Sequence, residues 1–212
     1  MTPEAINHLR RSDPAIRQLI RRIGTCTLQP DPRRTPFESL VRAIAHQQLN
    51  GTAAETILNR FLTLFPGKRF PDPEDLDAIG DEPIRAAGFS GAKVAGIRDI
   101  AAKTLSGIVP TSRRIARMSD EEIIKRLTEC RGVGRWTVEM LLIFNLGRPD
   151  VWPVDDFGIR EGYRAVYDLE AQPKPKELTT LGERWRPYRT TLAWYLWRAA
   201  DAAKGTSKAV GQ

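Results

Sequence analysis

Helix-start signals recur along this chain, and no segment alternates apolar and polar residues cleanly enough to argue for a strand. Thr35-Pro36-Phe37-Glu38 combines an N-cap, a proline in the first turn and a glutamate placed to return the capping bond. It opens FESLVRAIAHQQL, in which Phe37, Leu40, Val41 and Ile44 fall at helical spacing. Ser119-Asp120-Glu121-Glu122 repeats the device before EEIIKRLTEC, and Asp13-Pro14 reads as the start of the first helix. Asn50-Gly51, Pro66-Gly67 and Gly88-Phe89-Ser90-Gly91 separate one helix from the next. Short helices are expected after Pro73 and after Asp81, and others over AKVAGIRDIAAKTL, RWTVEMLLIFNL, FGIREGYRAVY, through ERW and through YRTTLAWYLWRAADAA. The pattern predicts an all-α fold of about ten helices, ending in a frayed tail, GTSKAVGQ.

With 212 residues, 41% of them hydrophobic, the chain can bury a core as one domain or as two small lobes. Lys and Arg outnumber Asp and Glu by 33 to 26, a formal charge of +7 that fits a polyanionic partner. Cys26, Cys130, His8 and His46 are too scattered for the paired ligands of a structural zinc site. Two cysteines cannot supply the four thiolates of an iron–sulfur cluster. MTPEAINHLRRSDPAIRQ lacks the apolar stretch of a secretory signal, and no apolar run approaches membrane-spanning length. With so few cysteines, the expectation is a cytoplasmic protein with no membrane association.

RGVG at 131–134 stands between two helical segments. Glycines on either side of Val133 permit positive φ and close backbone approach, and the free N–H groups of the next helix then form an anion site. An ordinary helix–helix turn has the same glycines; the flanking Arg131 and Arg135 favour a phosphate. The Gly88–Lys93 turn is a weaker version and reads as structural. About twenty residues beyond the hairpin, Trp152-Pro153-Val154 leads into Asp155-Asp156. Adjacent side chains at a helix start point different ways, so one carboxylate can cap the helix while the other works. By itself such a pair reads as a cap; an ionised carboxylate there also suits an oxocarbenium-like transition state.

Taken together, FESLVRAIAHQQL, RGVGRWTVEMLL, VWPVDDFGIR and ERWRPYRTTLAWYLWR resemble the helix-hairpin-helix DNA glycosylase superfamily, with its Gly/Pro-rich loop and catalytic Asp. The resemblance is to the 3-methyladenine DNA glycosylase II (AlkA-like) branch, and it extends from about residue 35 to residue 200. It implies a two-lobed helical bundle with the lesion pocket between the lobes. One lobe is expected at about 35–115 and the other from 1–34 with 116–205, the latter carrying the hairpin and catalytic Asp, before a tail at 206–212. The extra N-terminal β-rich domain of the type enzyme is expected to be absent.

Site roles follow from the same resemblance. Asp156 takes the catalytic position, with Asp155 the alternative if the register is displaced by one. Trp136, Met140 and Trp197 fall on the base pocket, where aromatic faces suit a positively charged alkylated purine. Gly132, Gly134, Arg135 and Thr137 fall on the DNA phosphate. Gln48 aligns with the residue that fills the gap left by the flipped nucleotide, and Leu49 is the apolar alternative. Main-chain carbonyls of Thr128, Cys130 and Val133 are placed to hold a structural monovalent cation. Family members with lyase activity carry a lysine where this chain has Trp136, so no imine can form there.

The expected activity is base release from double-stranded DNA carrying alkylated purines: 3-methyladenine and 7-methylguanine, with ethenoadenine and hypoxanthine as further substrates. The protein is expected to act as a monomer, needing no cofactor for the chemistry, no zinc and no iron–sulfur cluster. The competing expectation is a non-catalytic binder of abasic or bent DNA on the same scaffold.

Overall fold

The computed structural model describes residues 2–49 and 51–209, all helix, turn or loop. Asn50, and residues 210–212 of the expected tail, lie outside the described residues. The chain divides into two compact units, Met1–Pro30 with Gly147–Gln212, and Asp31–Leu146.

The second unit contains α3 (Pro36–His46), α4 (Gly51–Leu62), α5 (Pro73–Asp77), α6 (Asp81–Ala86), α7 (Gly91–Leu105), α8 (Ser112–Ile115), α9 (Asp120–Leu127) and α10 (Arg135–Phe144). Thr35 caps α3 through a bond from the Glu38 N–H, and the capping box at Ser119 and Glu122 opens α9. Helix α3 packs against α4, α7 and α10, burying Leu40, Val41 and Ile44. Each such side chain contributes about 1.5–3 kcal/mol through burial. Phe61 meets Phe65 and Phe89 edge to face beneath them.

The expected boundaries at 34/35 and 115/116 are corrected by this division, because residues 116–146, hairpin included, pack with the helices that precede them. The reason lies in polar ties across the sequence. Asp99 accepts the Arg131 N–H at 2.7 Å, Lys103 donates to the Glu129 carbonyl at 2.6 Å, and Arg126 donates to the Ile108 carbonyl at 2.9 Å. The Asn145 amide closes the unit on itself, donating to the carbonyls of Asp31 and Arg34 at 2.8 and 3.0 Å.

The first unit contains α1 (Pro3–Ser12), α2 (Pro14–Ile23), α11 (Phe157–Val166), α12 (Pro175–Gly182), a 3-10 turn (Glu183–Trp185) and α13 (Arg189–Ala209). Helix α1 precedes the expected first helix. Asp13 ends α1 and starts α2, its carboxylate accepting the Ala15 N–H at 2.8 Å and the Ile16 N–H at 3.2 Å. The other oxygen takes the Tyr167 hydroxyl at 2.8 Å and Arg184 at 3.0 Å. At the opposite end, α13 continues through residues 206–209, so the expected tail is helical that far. ERW forms the 3-10 turn rather than part of α12, and α8 was not anticipated.

The tightest packing in this unit is α11 on α13. Gly158 and Gly162 stand one helical turn apart on the same face of α11. A Cβ at Gly162 would overlap the Leu196 carbonyl, so only glycine lets the two backbones approach this closely.

Candidate active site

Asp156 is set by a short extended connection. Val151 donates to the Thr190 hydroxyl at 2.9 Å, and the Asp156 N–H closes a turn onto the Pro153 carbonyl at 3.1 Å. Asp156 is then the N-cap of α11, with Oδ1 accepting the Ile159 N–H at 2.8 Å. The same oxygen accepts the indole N–H of Trp197, from α13, at 2.9 Å. Gly158 makes room for that contact: a Cβ there would lie 2.8 Å from Trp197 Cδ1 and 3.1 Å from Asp156 Oδ1.

Of the two carboxylates, the cap falls to the one that the resemblance marks as catalytic. Asp156 caps the helix itself, while Asp155 is exposed beside it. A half-buried carboxylate whose direction is fixed by two N–H donors can face a developing positive charge or orient a water molecule. Trp197 is brought to Asp156 through its polar edge, a role the sequence did not indicate. Trp152 is buried, with its indole N–H on the Leu178 carbonyl at 2.9 Å, and Trp185 and Trp194 are buried in the same unit. Tyr188 is half-buried, stacking edge-on against His8.

The hairpin belongs to the other unit. Gly132 adopts φ 77°, and Val133 closes the turn on the Cys130 carbonyl at 3.0 Å. Gly96 sits where a Cβ would stand 3.1 Å from the Arg131 carbonyl, so α7 supports the hairpin at close range. Gly134 is the N-cap of α10 and offers no side-chain bond, which leaves the first-turn N–H groups of a ten-residue helix without a side-chain cap.

Two residues read as DNA contacts have side chains engaged within the protein. Arg135 is held by Glu121 at 2.7 Å and by the buried Glu139 at 3.1 Å, and its hydrogen bonds hold the Glu121 carboxyl below its ordinary range. Thr137 is only 3% exposed, so the side chain faces the core and only its backbone belongs to the α10 start. Burial pushes the Cys130 thiol up to about 11, which keeps its sulfur protonated.

Trp136 is 43% exposed in the first turn of α10, with the half-buried Met140 one turn further. Phe144, 44% exposed, continues the same row and was missed in the sequence, although i, i+4, i+8 spacing marks it. Beyond the end of α3, Gln48 takes φ 58° and is exposed, and Leu49 is 39% exposed. His46 hydrogen-bonds Glu55 at 3.2 Å. The side chain of Gln47 donates to the Gly132 carbonyl at 2.8 Å, tying this segment to the hairpin. A groove of 710 Å³ lies at the opposite end of α3, lined by Phe37, Phe70, Pro71 and Val109 among others. None of the candidate site residues lines it.

Residues 41–187 match the family model of HhH-GPD superfamily base excision DNA repair proteins. DNA-3-methyladenine glycosylase 1 of Schizosaccharomyces pombe is 42% identical over 202 residues, covering 94% of this chain and 88% of the relative. The solved 3-methyladenine DNA glycosylase of that yeast, in complex with abasic DNA, superposes with a TM-score of 0.84 over 92% of this chain and 95% of its own. A DNA-3-methyladenine glycosidase from Bacillus halodurans, 32% identical, also gives a TM-score of 0.84, over 96% of this chain and 92% of its own. The hairpin, the helix that follows it and the Asp156 cap all fall within the matched residues, and this chain belongs to the HhH-GPD superfamily of base excision DNA repair proteins.

Proposed function

We propose that this protein is a monofunctional 3-methyladenine DNA glycosylase of type II, hydrolysing the N-glycosidic bond of alkylated purines in double-stranded DNA. The observation that carries the reading is the Asp156 carboxylate, fixed by the Ile159 N–H and the Trp197 indole at a half-buried helix start. The similarity to relatives named for 3-methyladenine supports that lesion as substrate; this reading adds 7-methylguanine beside it and ethenoadenine and hypoxanthine as further substrates.

A purine alkylated at N3 or N7 carries positive charge and departs with the glycosidic electron pair as a neutral base, so no general acid is required; ethenoadenine and hypoxanthine are neutral and take up a proton from water as they leave. Positive charge develops on the sugar as the bond breaks, and Asp156 stabilises it. Water adds to C1′ and gives up a proton, leaving an abasic site. Trp136 has no amine, so the sugar is not captured as an imine and the strand is not cut. Its exposed ring suits the face of a cationic base, with Met140 beside it. The backbone N–H groups from Gly132 to the α10 start take a DNA phosphate. Gln48 or Leu49 fills the space the flipped nucleotide leaves.

The hairpin carbonyls of Thr128, Cys130 and Val133 are hard oxygen donors at the negative end of α9, a donor set that fits a monovalent cation. The Cys130 carbonyl keeps a second lone pair beyond the one used by Val133. Such an ion would hold the hairpin's shape and take no part in bond breaking. The reading places the protein on DNA as a cytoplasmic monomer.

The test is release of 3-methyladenine from methylated duplex by wild type and by Asp156→Asn, alongside binding of both to an abasic-site duplex. Asparagine keeps an acceptor for Ile159 and Trp197, so retained binding with lost release identifies the carboxylate's charge as the catalytic element. Binding without release by either protein supports the non-catalytic alternative. Strand cutting coupled to release and trapped by borohydride overturns the monofunctional assignment.

A further inference from the structure

Helix α3 ends at His46 with carbonyls that have no partner within the helix. Many helices solve this with a glycine in the left-handed region. Here Gln48 occupies that region at φ 58°, a conformation that disfavours any residue with a Cβ. Such a residue persists only where its surroundings hold it in place.

Two side chains do so. Lys93, in the first turn of α7, donates through Nζ to the Ala45 carbonyl at 2.9 Å and to the Gln47 carbonyl at 2.8 Å. It therefore sets a cation at the negative end of α3 and fixes the backbone on the near side of Gln48. Gln47 reaches the opposite way, its amide donating to the Gly132 carbonyl at 2.8 Å. Gly132 is the positive-φ residue of the hairpin, whose Cβ position stands 3.3 Å from Ile44 Cδ1 on α3. The exposed pair Gln48-Leu49 thus projects from a segment anchored to α7 on one side and to the hairpin on the other. Burial lowers the Lys93 pKa, as expected of an ammonium group that has exchanged water for carbonyl oxygens.

We propose that Lys93 and Gln47 are positioning residues that make the wedge segment and the phosphate-binding hairpin one rigid body, so that gripping the backbone delivers the wedge into the base stack. This rests on the glycosylase reading for the purpose of the wedge, but its test does not depend on base release. A plain helix-capping role would affect stability alone and would not separate backbone binding from insertion.

The experiment uses the full chain and a duplex with 2-aminopurine beside a tetrahydrofuran abasic analogue, whose fluorescence rises when neighbouring bases are unstacked. Affinity for the same duplex is measured in parallel by anisotropy. Lys93→Met and Gln47→Ala are expected to lower the saturating fluorescence rise at least fivefold while affinity changes less than about threefold, since the phosphate contacts remain. Lys93→Arg, which retains donors and charge, restores most of the rise. Wild-type fluorescence in both variants overturns the proposal, as does no rise with wild type, a parallel fall of affinity and fluorescence, or no rescue by arginine. A full wild-type fluorescence rise without base release from methylated duplex leaves this coupling standing and removes the glycosylase reading instead.

Discussion

The indole N–H of Trp197 and the backbone N–H of Ile159 converge on one oxygen, Oδ1 of Asp156, at 2.9 and 2.8 Å. One donor belongs to the helix that Asp156 caps and the other to a helix that begins more than thirty residues later. The carboxylate is therefore aimed by tertiary packing as well as by its own cap. Trp197→Phe keeps an aromatic ring and deletes the donor. Loss of a hydrogen bond to a charged group, about 1.5–3 kcal/mol, is expected to slow single-turnover release of 3-methyladenine by at least tenfold. Affinity for an abasic duplex should stay within about twofold, and an unchanged rate would show that the indole bond does not aim the carboxylate.

The glycines of α11 separate stability from catalysis. Gly162→Ala places a methyl group against the Leu196 backbone, which cannot move aside as a side-chain tip can. The gain in helix propensity, about 1 kcal/mol, is smaller than the overpacking cost, about 1–3 kcal/mol or more at a backbone clash. Urea unfolding should show a net loss of stability. Gly158→Ala meets the Trp197 ring and crowds Asp156 instead. It should slow base release, and combined with Trp197→Phe it should cost less than the sum of the separate effects.

Arg135 supplies a contrast between charge used inside the protein and charge offered to DNA. Arg135→Met removes the partner of Glu121 and one partner of the buried Glu139. Because the arginine is half exposed, the loss should be only about 1 kcal/mol in thermal or urea unfolding. The slope of log affinity against log salt should remain that of wild type. A slope reduced by about 0.9 would identify Arg135 as a phosphate contact after all.

Acid should loosen the support of the hairpin. Burial pushes the Asp99 carboxyl up, but the Lys103 ammonium and the Arg131 N–H more than reverse this, so it titrates below the ordinary carboxylate range. The folded state then binds fewer protons than the unfolded one. Asp99 contributes its stability fully above that range and loses it as pH falls through and below it. Asp99→Asn should lower stability near neutrality and flatten this part of the curve of melting temperature against pH. Parallel curves for the two proteins would rule out a contribution from Asp99.

What the sequence made legible was local. The Thr35 cap, the capping box at Ser119 and the glycines of the hairpin specify their turns within a few residues and stand as expected, except that Glu38 does not return the bond to Thr35, its carboxylate being held by Arg42 and Arg69. Helix α1 escaped because Asp13 serves both helices, so the signal for the second concealed the end of the first. Asp156 was identifiable as a candidate from its family position, but which of the two carboxylates caps α11 was left open by the sequence. The Trp197 contact spans 41 residues and the Asp99–Arg131 bond spans 32, distances at which helix periodicity carries no information. The unit boundary depends on ties of that kind. Gly158 and Gly162 lie one helical turn apart in the sequence, but their spacing does not name α13 as the helix they admit.

The division of the chain also sets an order of events during synthesis. Helices α1 and α2 are made before the unit from Asp31 to Leu146, yet apart from each other the elements they pack on belong to the segment beginning at Gly147. The intervening unit is one continuous stretch from Asp31 to Leu146 and has all its own helices to hand. At about 5–20 residues per second, the ribosome takes roughly 6–23 s to make it. For that interval α1 and α2 hold apolar surface whose remaining partners are not yet translated, so this unit closes only after the other is complete.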